Sequence, residues 1–327
     1  MDCIDQTIGQ RFALYRGDCV RVMRGIPGDS VGYSIFSPPF ASLYTYSDDP
    51  RDMGNCRNDA EFFGQYRYML SELYRVMMPG RLVSVHCMDL PTSKVRHGVI
   101  GLRDFSGDLI RAMEDVGFVL HCRVTIWKDP VTAMQRTKAI GLLYKQLRKD
   151  SAMSRQGFPD YLVTFYKPGT NAEPIAHTPE QFPVAADRNI KGDAGWQEYA
   201  SPCWTGEDAT LDDARISDLV DRYPADLMWR DINMSDTLQY RSAREHDDER
   251  HICPLQIPVI TRGIDLWSNP GDVVLSPFTG IGSEGVTALR LGRRFIGAEL
   301  KASYYRQAAA NLAAEDGQQQ MFGGQNG

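Results

Sequence analysis

Apolar positions in the first half of the chain fall into two alternating periods. Arg11-Phe12-Ala13-Leu14-Tyr15 reads as a short strand ending at Gly17-Asp18, and Cys19 to Ile26 as a short helix stopped by Pro27-Gly28. Val31-Gly32-Tyr33-Ser34-Ile35-Phe36 has the character of a buried strand. From Glu61 to Met78, the residues Phe62, Phe63, Tyr66, Met69, Leu70, Leu73 and Met77 recur at three and four residues, which predicts a helix closed by Pro79-Gly80. Leu82 to His86, Val119 to Trp127 and Tyr161 to Tyr166 are predicted strands, and Asp108 to Val116 is a predicted helix with Gly117 at its end. Strands alternating with helices predict an α/β fold with a largely parallel sheet covered on both faces.

The pattern fades from Pro168 to about Arg250, where Pro, Gly, Asp and Trp are frequent, and returns at Ile252. Thr261 to Trp267, Glu284 to Leu291 and Ala302 to Ala314 are then predicted helices, and Val273 to Leu275 and Arg294 to Gly297 predicted strands. The plan is one discontinuous domain, residues 10–168 and 250–312, interrupted by an irregular segment, 169–249. A loop of that length inside a domain is uncommon unless it is functional. Residues 313–327 are rich in Gln and Gly and are expected to be a disordered tail.

Composition narrows the function classes. Lys and Arg number 36 and Asp and Glu 42, a net charge of −6, which argues against a passive coat for nucleic acid. No apolar run approaches the roughly 18 residues that a membrane span needs. The acidic start Met1-Asp2-Cys3-Ile4-Asp5 is unlike a signal peptide, and the seven cysteines are scattered without a CxxC pair. A soluble, reduced, cytoplasmic protein with no membrane contact is expected. His86, His97, His121 and His251 lack metal-ligand spacing and read as ordinary polar or core residues, so no metal is expected.

Chemistry enters at Val273-Val274-Leu275-Ser276-Pro277-Phe278-Thr279-Gly280-Ile281-Gly282-Ser283-Glu284-Gly285, a strand, a tight turn and a helix start. Gly280, Gly282 and Gly285 form G-x-G-x-x-G, which lets a ligand approach the backbone. Glu299 ends the next strand, nineteen residues after Gly280, where an acid would hold a ribose diol. This combination predicts an adenosine-containing cofactor. Only about 28 residues follow Glu299, too few for the further βα units of a nicotinamide domain. The remaining strands must come from the N-terminal half, which disfavours a dehydrogenase.

Ser37-Pro38-Pro39-Phe40 directly follows a predicted buried strand, where ligand sites of open α/β sheets lie. Two prolines fix their own φ and extend the residue before each, so the corner is stiff. An amino group there would donate to the Ser37 side chain and the Pro38 carbonyl, and Phe40 would stack on a flat ring. The alternative is a plain Pro-rich turn with a core Phe.

Taken together, Ser37-Pro38-Pro39-Phe40 near one end and Ser276-Pro277-Phe278-Thr279-Gly280-Ile281-Gly282 near the other resemble the amino-group DNA methyltransferases, which act on cytosine N4 or adenine N6. The catalytic motif precedes the cofactor motif, as in that family's β-type order. The resemblance extends through Leu14 to Asp18, Leu73 to Arg81, His251-Ile252-Cys253-Pro254-Leu255-Gln256 and Leu291 to Leu300. It implies a Rossmann-like methyltransferase sheet, S-adenosyl-L-methionine as cofactor and double-stranded DNA as partner. Asp18, Ser276, Pro277, Phe278, Gly280, Gly282, Glu299, Cys253 and Pro254 are the implied cofactor residues, and Ser37, Pro38, Pro39 and Phe40 the implied catalytic ones. The family's cofactor motif begins Asp-Pro-Phe, whereas Ser276 stands here in place of the acid. A hydroxyl is a weaker partner for the methionine ammonium, so another carboxylate or a backbone carbonyl must help hold it.

The resemblance implies direct methyl transfer to a base flipped out of the duplex, with cytosine N4 favoured over adenine N6 by Ser-Pro-Pro-aromatic, as in restriction-modification systems. Tyr44 and Tyr46 either line the same pocket or pack as ordinary loop aromatics. Lys128 to Arg155 carries a local charge of +5, and Arg136, Lys138, Lys145, Arg148 and Lys149 are candidate phosphate contacts. The 169–249 segment is read as a target-recognition or lid segment, with Arg241, Arg244 and Asn233 as candidate base contacts. Gln318-Gln319-Gln320-Met321-Phe322 is similar to pentapeptides that dock on the replication sliding clamp. The competing readings are a catalytically inactive DNA-binding relative, a nicotinamide-dependent oxidoreductase, and an RNA or protein methyltransferase.

Overall fold

A computed structural model describes residues 1–40, 48–92, 94, 98–99, 101–128, 148, 150, 159–177, 203–204, 235–239, 243 and 254–322. Its strands are β1 (Asp5–Ile8), β2 (Phe12–Arg16), β3 (Val31–Phe36), β4 (Met77–Cys87), β5 (Leu90–Pro91), β6 (Leu102–Arg103), β7 (Val119–Ile126), β8 (Asp160–Tyr166), β9 (Cys203–Trp204), β10 (Val273–Ser276) and β11 (Arg294–Glu299). The helices are α1 (Cys19–Arg24), α2 (Asp59–Val76), α3 (Phe105–Asp115), α4 (Ile257–Trp267), α5 (Ser283–Arg290) and α6 (Ala302–Phe322).

Nine strands form one sheet in the order β1-β2-β11-β10-β3-β4-β8-β7-β9. The five strands from β2 to β4 are mutually parallel, whereas β1 and β8 run against their neighbours. Every residue of β3 is buried, as befits a central strand covered on both faces. One face packs on α1, α2 and α3 through Val22, Phe62, Leu70, Leu109 and their neighbours. The other packs on α4, α5 and α6 through Val259, Ile264, Leu289 and Leu312. This is a Rossmann-like, mostly parallel sheet with insertions, as the alternation of apolar periods predicts.

Several boundaries differ from the sequence reading for local reasons. Helix α2 starts at Asp59 rather than Glu61 because the Asn58 side chain accepts from Glu61 N. Its end lies at Val76, and β4 begins at Met77 and runs through Pro79-Gly80, so that pair bends a strand rather than stopping a helix. Gly80 takes a φ of 74°, and a Cβ there would meet Asn171. Asp104 caps α3 and moves its start to Phe105. The antiparallel edge strand β1 has no counterpart in the sequence reading.

The expected disordered tail is corrected over residues 313–322, because α6 continues to Phe322. Two buried acids anchor the continuation. Asp316 accepts from Arg11 Nε at 2.9 Å and from Gln10 N at 2.8 Å, and Glu315 accepts from Arg290 Nε at 2.9 Å. The first acid binds α6 to the start of β2 across nearly the whole sequence, and the second binds it to the end of α5. Gln318 to Phe322 therefore lie on a helix rather than in an extended tail.

The two halves of the chain are also joined at the amino edge of the sheet. Arg81, fully buried on β4, donates to Asp272 just before β10, at 3.0 Å and 3.4 Å. Gly32 leaves room for that carboxylate, since a Cβ there would come within 2.8 Å of it.

Candidate active site

In an open parallel sheet, ligands bind beyond the carboxyl ends of the strands where the chain changes direction of winding. That point lies here between β10 and β3, because β10 leads to β11 on one side and β3 to β4 on the other. Leu275 is opposite Ser34, whose hydroxyl donates to the Leu275 carbonyl at 2.9 Å. The glycine loop after β10 and the double-proline corner after β3 thus leave one edge side by side. Phe36 and Phe278 rings pack across the junction with centroids 5.8 Å apart.

The glycine loop is shaped by its backbone. Gly280 and Gly282 have φ values of 55° and 94°, which disfavour a side chain. A Cβ on Gly280 would face open space, whereas one on Gly285 would lie 2.6 Å from Leu312 and Phe295. The first glycine therefore leaves room for a ligand, and the third lets α5 pack closely. Thr279 N donates to the Ala298 carbonyl at 3.0 Å and Gly282 N to the Thr279 carbonyl at 2.9 Å. Ser276, fully buried at the end of β10, has a hydroxyl without a hydrogen-bond partner among the described residues.

Glu299 closes the loop from the end of β11. Its Oε2 accepts from Gly280 N and its Oε1 from Lys301 N, each at 2.8 Å. Burial pushes its carboxyl up to about 7, against those N–H bonds, and the charge of Asp52 adds to the rise. Glu284, buried in the first turn of α5, is pushed up to about 8 by burial, and the charge of Glu299 adds to this. The Glu299 carbonyl accepts from Gly17 N, so the turn carrying Asp18 lies beside it. Asp18 itself caps α1 through Val20 N at 2.9 Å. Helix α4 ends shortly before β10 begins, so its N-terminal residues, with Pro254 and buried Gln256, approach the same edge.

On the acceptor side, Ser37 is partly buried and Pro38 buried. Phe40 packs against Phe105 with ring centroids 6.2 Å apart. Ser37 Oγ lies 2.9 Å from His86 Nδ1, and His86 Nε2 lies 3.0 Å from Asp160 Oδ2, which is also paired with Lys128. The structure thus brings Asp18, Ser37, Pro38, Pro39, Phe40, Pro254, Ser276, Pro277, Phe278, Gly280, Gly282 and Glu299 to one edge of the sheet.

His86, read as an ordinary polar or core residue, is buried and bonded to Ser37 and Asp160. The signal was the strand period: Ser84 and His86 share a face of β4, and that strand ends beside Ser37. Lys128, read as part of a phosphate-binding loop, is instead engaged by Asp160. Cys253, Tyr44, Tyr46, Arg136, Lys138, Lys145 and Lys149 lie outside the described residues, as do Asn233, Arg241 and Arg244. Arg148 is described and exposed. Among the described residues no cluster of His, Cys, Asp and Glu is arranged to hold a metal ion.

Comparison with known proteins agrees with this geometry. The Type II methyltransferase M.BglII of Bacillus subtilis is 22% identical over 311 residues, covering 94% of this chain and 71% of that protein. TTHA0409 of Thermus thermophilus, solved in complex with S-adenosyl-L-methionine, superposes with a TM-score of 0.59 at 19% identity, over 93% of this chain and 95% of that one. The cytosine-N4-specific PvuII DNA methyltransferase superposes with a TM-score of 0.56 at 16% identity, over 93% and 86%. At these identities the structural likeness speaks for the fold. The sequence model of the N6/N4 DNA methylase family matches residues 33–310, from the middle of β3 to the body of α6, and the chain therefore belongs to the amino-group DNA methyltransferase family, in its β-type motif order.

Proposed function

We propose that this chain moves a methyl group from S-adenosyl-L-methionine to the exocyclic amino group of a base flipped out of double-stranded DNA at a specific site, with cytosine N4 as the acceptor. One observation carries the reading: the double-proline corner and the glycine loop leave adjacent parallel strands at the same edge.

The residues fit the cofactor. The space facing Gly280 admits a ligand against the backbone, and Glu299 has lone pairs left for a ribose diol after accepting two N–H bonds. The Ser276 hydroxyl, a buried polar group without a partner among the described residues, is one that the methionine end of the cofactor would satisfy. When bound, the cofactor contributes an electrophilic methyl carbon on a sulfonium. The chain's part is to hold the amine. Its nitrogen lone pair is delocalised into the ring, and donation to Ser37 Oγ and the Pro38 carbonyl draws it toward a tetrahedral geometry. Fixing both reactants in line supplies much of the rate. Flipping costs a few kcal/mol, which stacking on Phe40 offsets in part.

Ser-Pro-Pro-Phe supports cytosine over adenine. Arg136, Lys138, Lys145, Arg148 and Lys149 are the proposed phosphate contacts, and the 169–249 segment the proposed reader of sequence. Ser276 in place of an acid favours a second reading, a DNA-binding relative without transfer activity. Incubation with tritiated cofactor and unmethylated DNA, followed by nucleoside separation, decides among these. Label in N4-methylcytosine, lost in Ser37→Ala, is the expected result. Label in N6-methyladenine transfers the mechanism to adenine, and tight DNA binding without label overturns the proposal.

A further inference from the structure

Four polar side chains from separate stretches meet behind the acceptor corner. Ser37 follows β3, His86 lies near the end of β4, Asp160 opens β8, and Lys128 follows β7. The strand period explains their meeting. Ile35 pairs with Ser84 and His86 with Leu162, so positions 35 and 37, 84 and 86, and 160 and 162 share one face of three neighbouring strands. Ile126 opposite Asp160 delivers Lys128 to the same corner. Among the described residues, the charged groups bonded around His86 are Asp160 and, through it, Lys128; β7 also carries Arg123, and α4, which packs on β3 and β4, carries Arg262 and Asp265.

The order of hydrogens along the chain follows from charge. Burial alone raises the Asp160 carboxyl, but Lys128 and His86 outweigh it and bring it to about 2. Asp160 is therefore ionised and accepts only. The hydrogen in its bond with His86 must reside on Nε2. A neutral ring then offers Nδ1 as a bare acceptor, so Ser37 donates to it and turns its own lone pairs toward the site. A doubly protonated ring reverses this: Nδ1–H donates to Ser37, and the serine hydrogen turns toward an amine that itself presents N–H groups. Lys128 neutralises the carboxylate, so Asp160 orients the ring without confronting it with an uncompensated charge.

A Ser-His-Asp array suggests a hydrolase, but the residue after such a nucleophile normally lends its N–H to an oxyanion. Here that residue is Pro38, followed by Pro39, and neither has an N–H. The array suits an amine rather than an acyl group.

We propose that His86 is a positioning residue for methyl transfer, one that fixes Ser37 as a hydrogen-bond acceptor for the amine and receives the proton the reaction releases. The inference rests on the methyl-transfer reading given above. The bond formed joins the amine nitrogen to the methyl carbon, and the bond broken is that carbon's bond to sulfur, whose electron pair stays on sulfur. The surplus proton on the methylated nitrogen passes to Ser37 Oγ while the serine hydrogen passes to His86 Nδ1. An imidazolium held against the Asp160 carboxylate replaces the sulfonium as the one extra positive charge.

The first test needs neither cofactor nor DNA. Long-range nitrogen–proton NMR on nitrogen-15 histidine-labelled protein, with His86→Asn to identify the signals, reports the tautomer. The expected result is a neutral ring with its hydrogen on Nε2, and a Nδ1 signal that moves in Ser37→Ala. A hydrogen on Nδ1 overturns the proposal. Kinetics form the second test. Asp160→Asn, whose amide oxygen stays against Lys128 and Nε2 but carries no charge to hold an imidazolium, is expected to lower kcat about 10²- to 10⁴-fold while KM for DNA and Kd for cofactor stay within about threefold. His86→Asn keeps an acceptor near the place of Nδ1 and is expected to remain faster than His86→Phe, with KM unchanged in both. Unaltered kcat in His86→Phe and Asp160→Asn would overturn the relay alone. A wild-type protein that transfers no methyl group would instead overturn the reading beneath it.

Discussion

Glu299 does two jobs at once, and replacing it with Gln separates them. Both carboxylate oxygens accept backbone N–H bonds at 2.8 Å, from Gly280 and Lys301. An amide has a single acceptor oxygen, so Glu299→Gln must set its NH2 against one of those N–H groups. One charge-assisted bond is lost, worth about 1.5–3 kcal/mol. If the ribose diol of the cofactor donates to the same carboxylate, Kd rises about 10- to 150-fold, at about 1.4 kcal/mol per tenfold. The effect must also depend on pH, because burial pushes the Glu299 carboxyl up to about 7. The ionised form accepts from the diol more strongly than the protonated one, so affinity falls as pH drops through about 7 and levels off above it. Folding stability runs the other way. A carboxyl raised in the folded state contributes stability below its unfolded value of 4.5, and that contribution is lost as pH rises through about 7. Adenosine is the suitable probe, since it carries the diol but neither the amine nor the carboxylate of the methionine end. Calorimetric titration of wild type and Glu299→Gln from about pH 5.5 to 8.5 gives both trends. A wild-type affinity flat across that range, or a variant that binds as tightly as wild type at the alkaline end, refutes the reasoning.

Other perturbations test the frame around the site. Asp272→Ala leaves the fully buried Arg81 guanidinium with only the longer 3.8 Å contact to Glu173 and is expected to cost about 3 kcal/mol in denaturant unfolding, whereas Arg81→Met with Asp272→Leu should cost far less. In Gly285→Ala the new methyl lies 2.6 Å from Leu312 and Phe295, and thermal unfolding should show a loss of about 1–3 kcal/mol. Glu284, raised from 4.5 to about 8 by burial, favours the folded state at acid pH and ceases to do so as pH rises through about 8. Glu284→Gln should therefore flatten the decline in stability toward alkaline pH, by an amount on the order of 5 kcal/mol at most. Unfolding midpoints measured across that interval would show no difference in slope if the carboxyl titrates normally.

Much of this arrangement is legible in the sequence, because the signals are local. The apolar run Val31 to Phe36 is buried at every position, and strand, glycine turn and spaced acid from Val273 to Glu299 can be read in order along the chain. The readings that failed depend on distant partners. Ala302 to Ala314 looks complete as a helix, and only Arg11 and Arg290 reveal why Glu315 and Asp316 extend it. Met77 and Met78 continue the helical spacing, yet sheet pairing with β8 claims the residues from Leu82 and the strand runs back to Met77. His86 carries no motif. Its bonds come only once β3, β4 and β8 lie side by side, placing Ser37 and Asp160 on either side of the imidazole.

The central claim is that two stretches some 240 residues apart build one pocket, with the transferred methyl directed at an amine resting on the double-proline corner. A crystal structure with S-adenosylhomocysteine and a duplex oligonucleotide tests it most directly. The account predicts the ribose diol at Glu299, the thioether sulfur facing Ser37 and Pro38, and an extruded base with its amino group between them. A nucleoside bound away from the glycine loop, or a sulfur turned from Ser37, would contradict it.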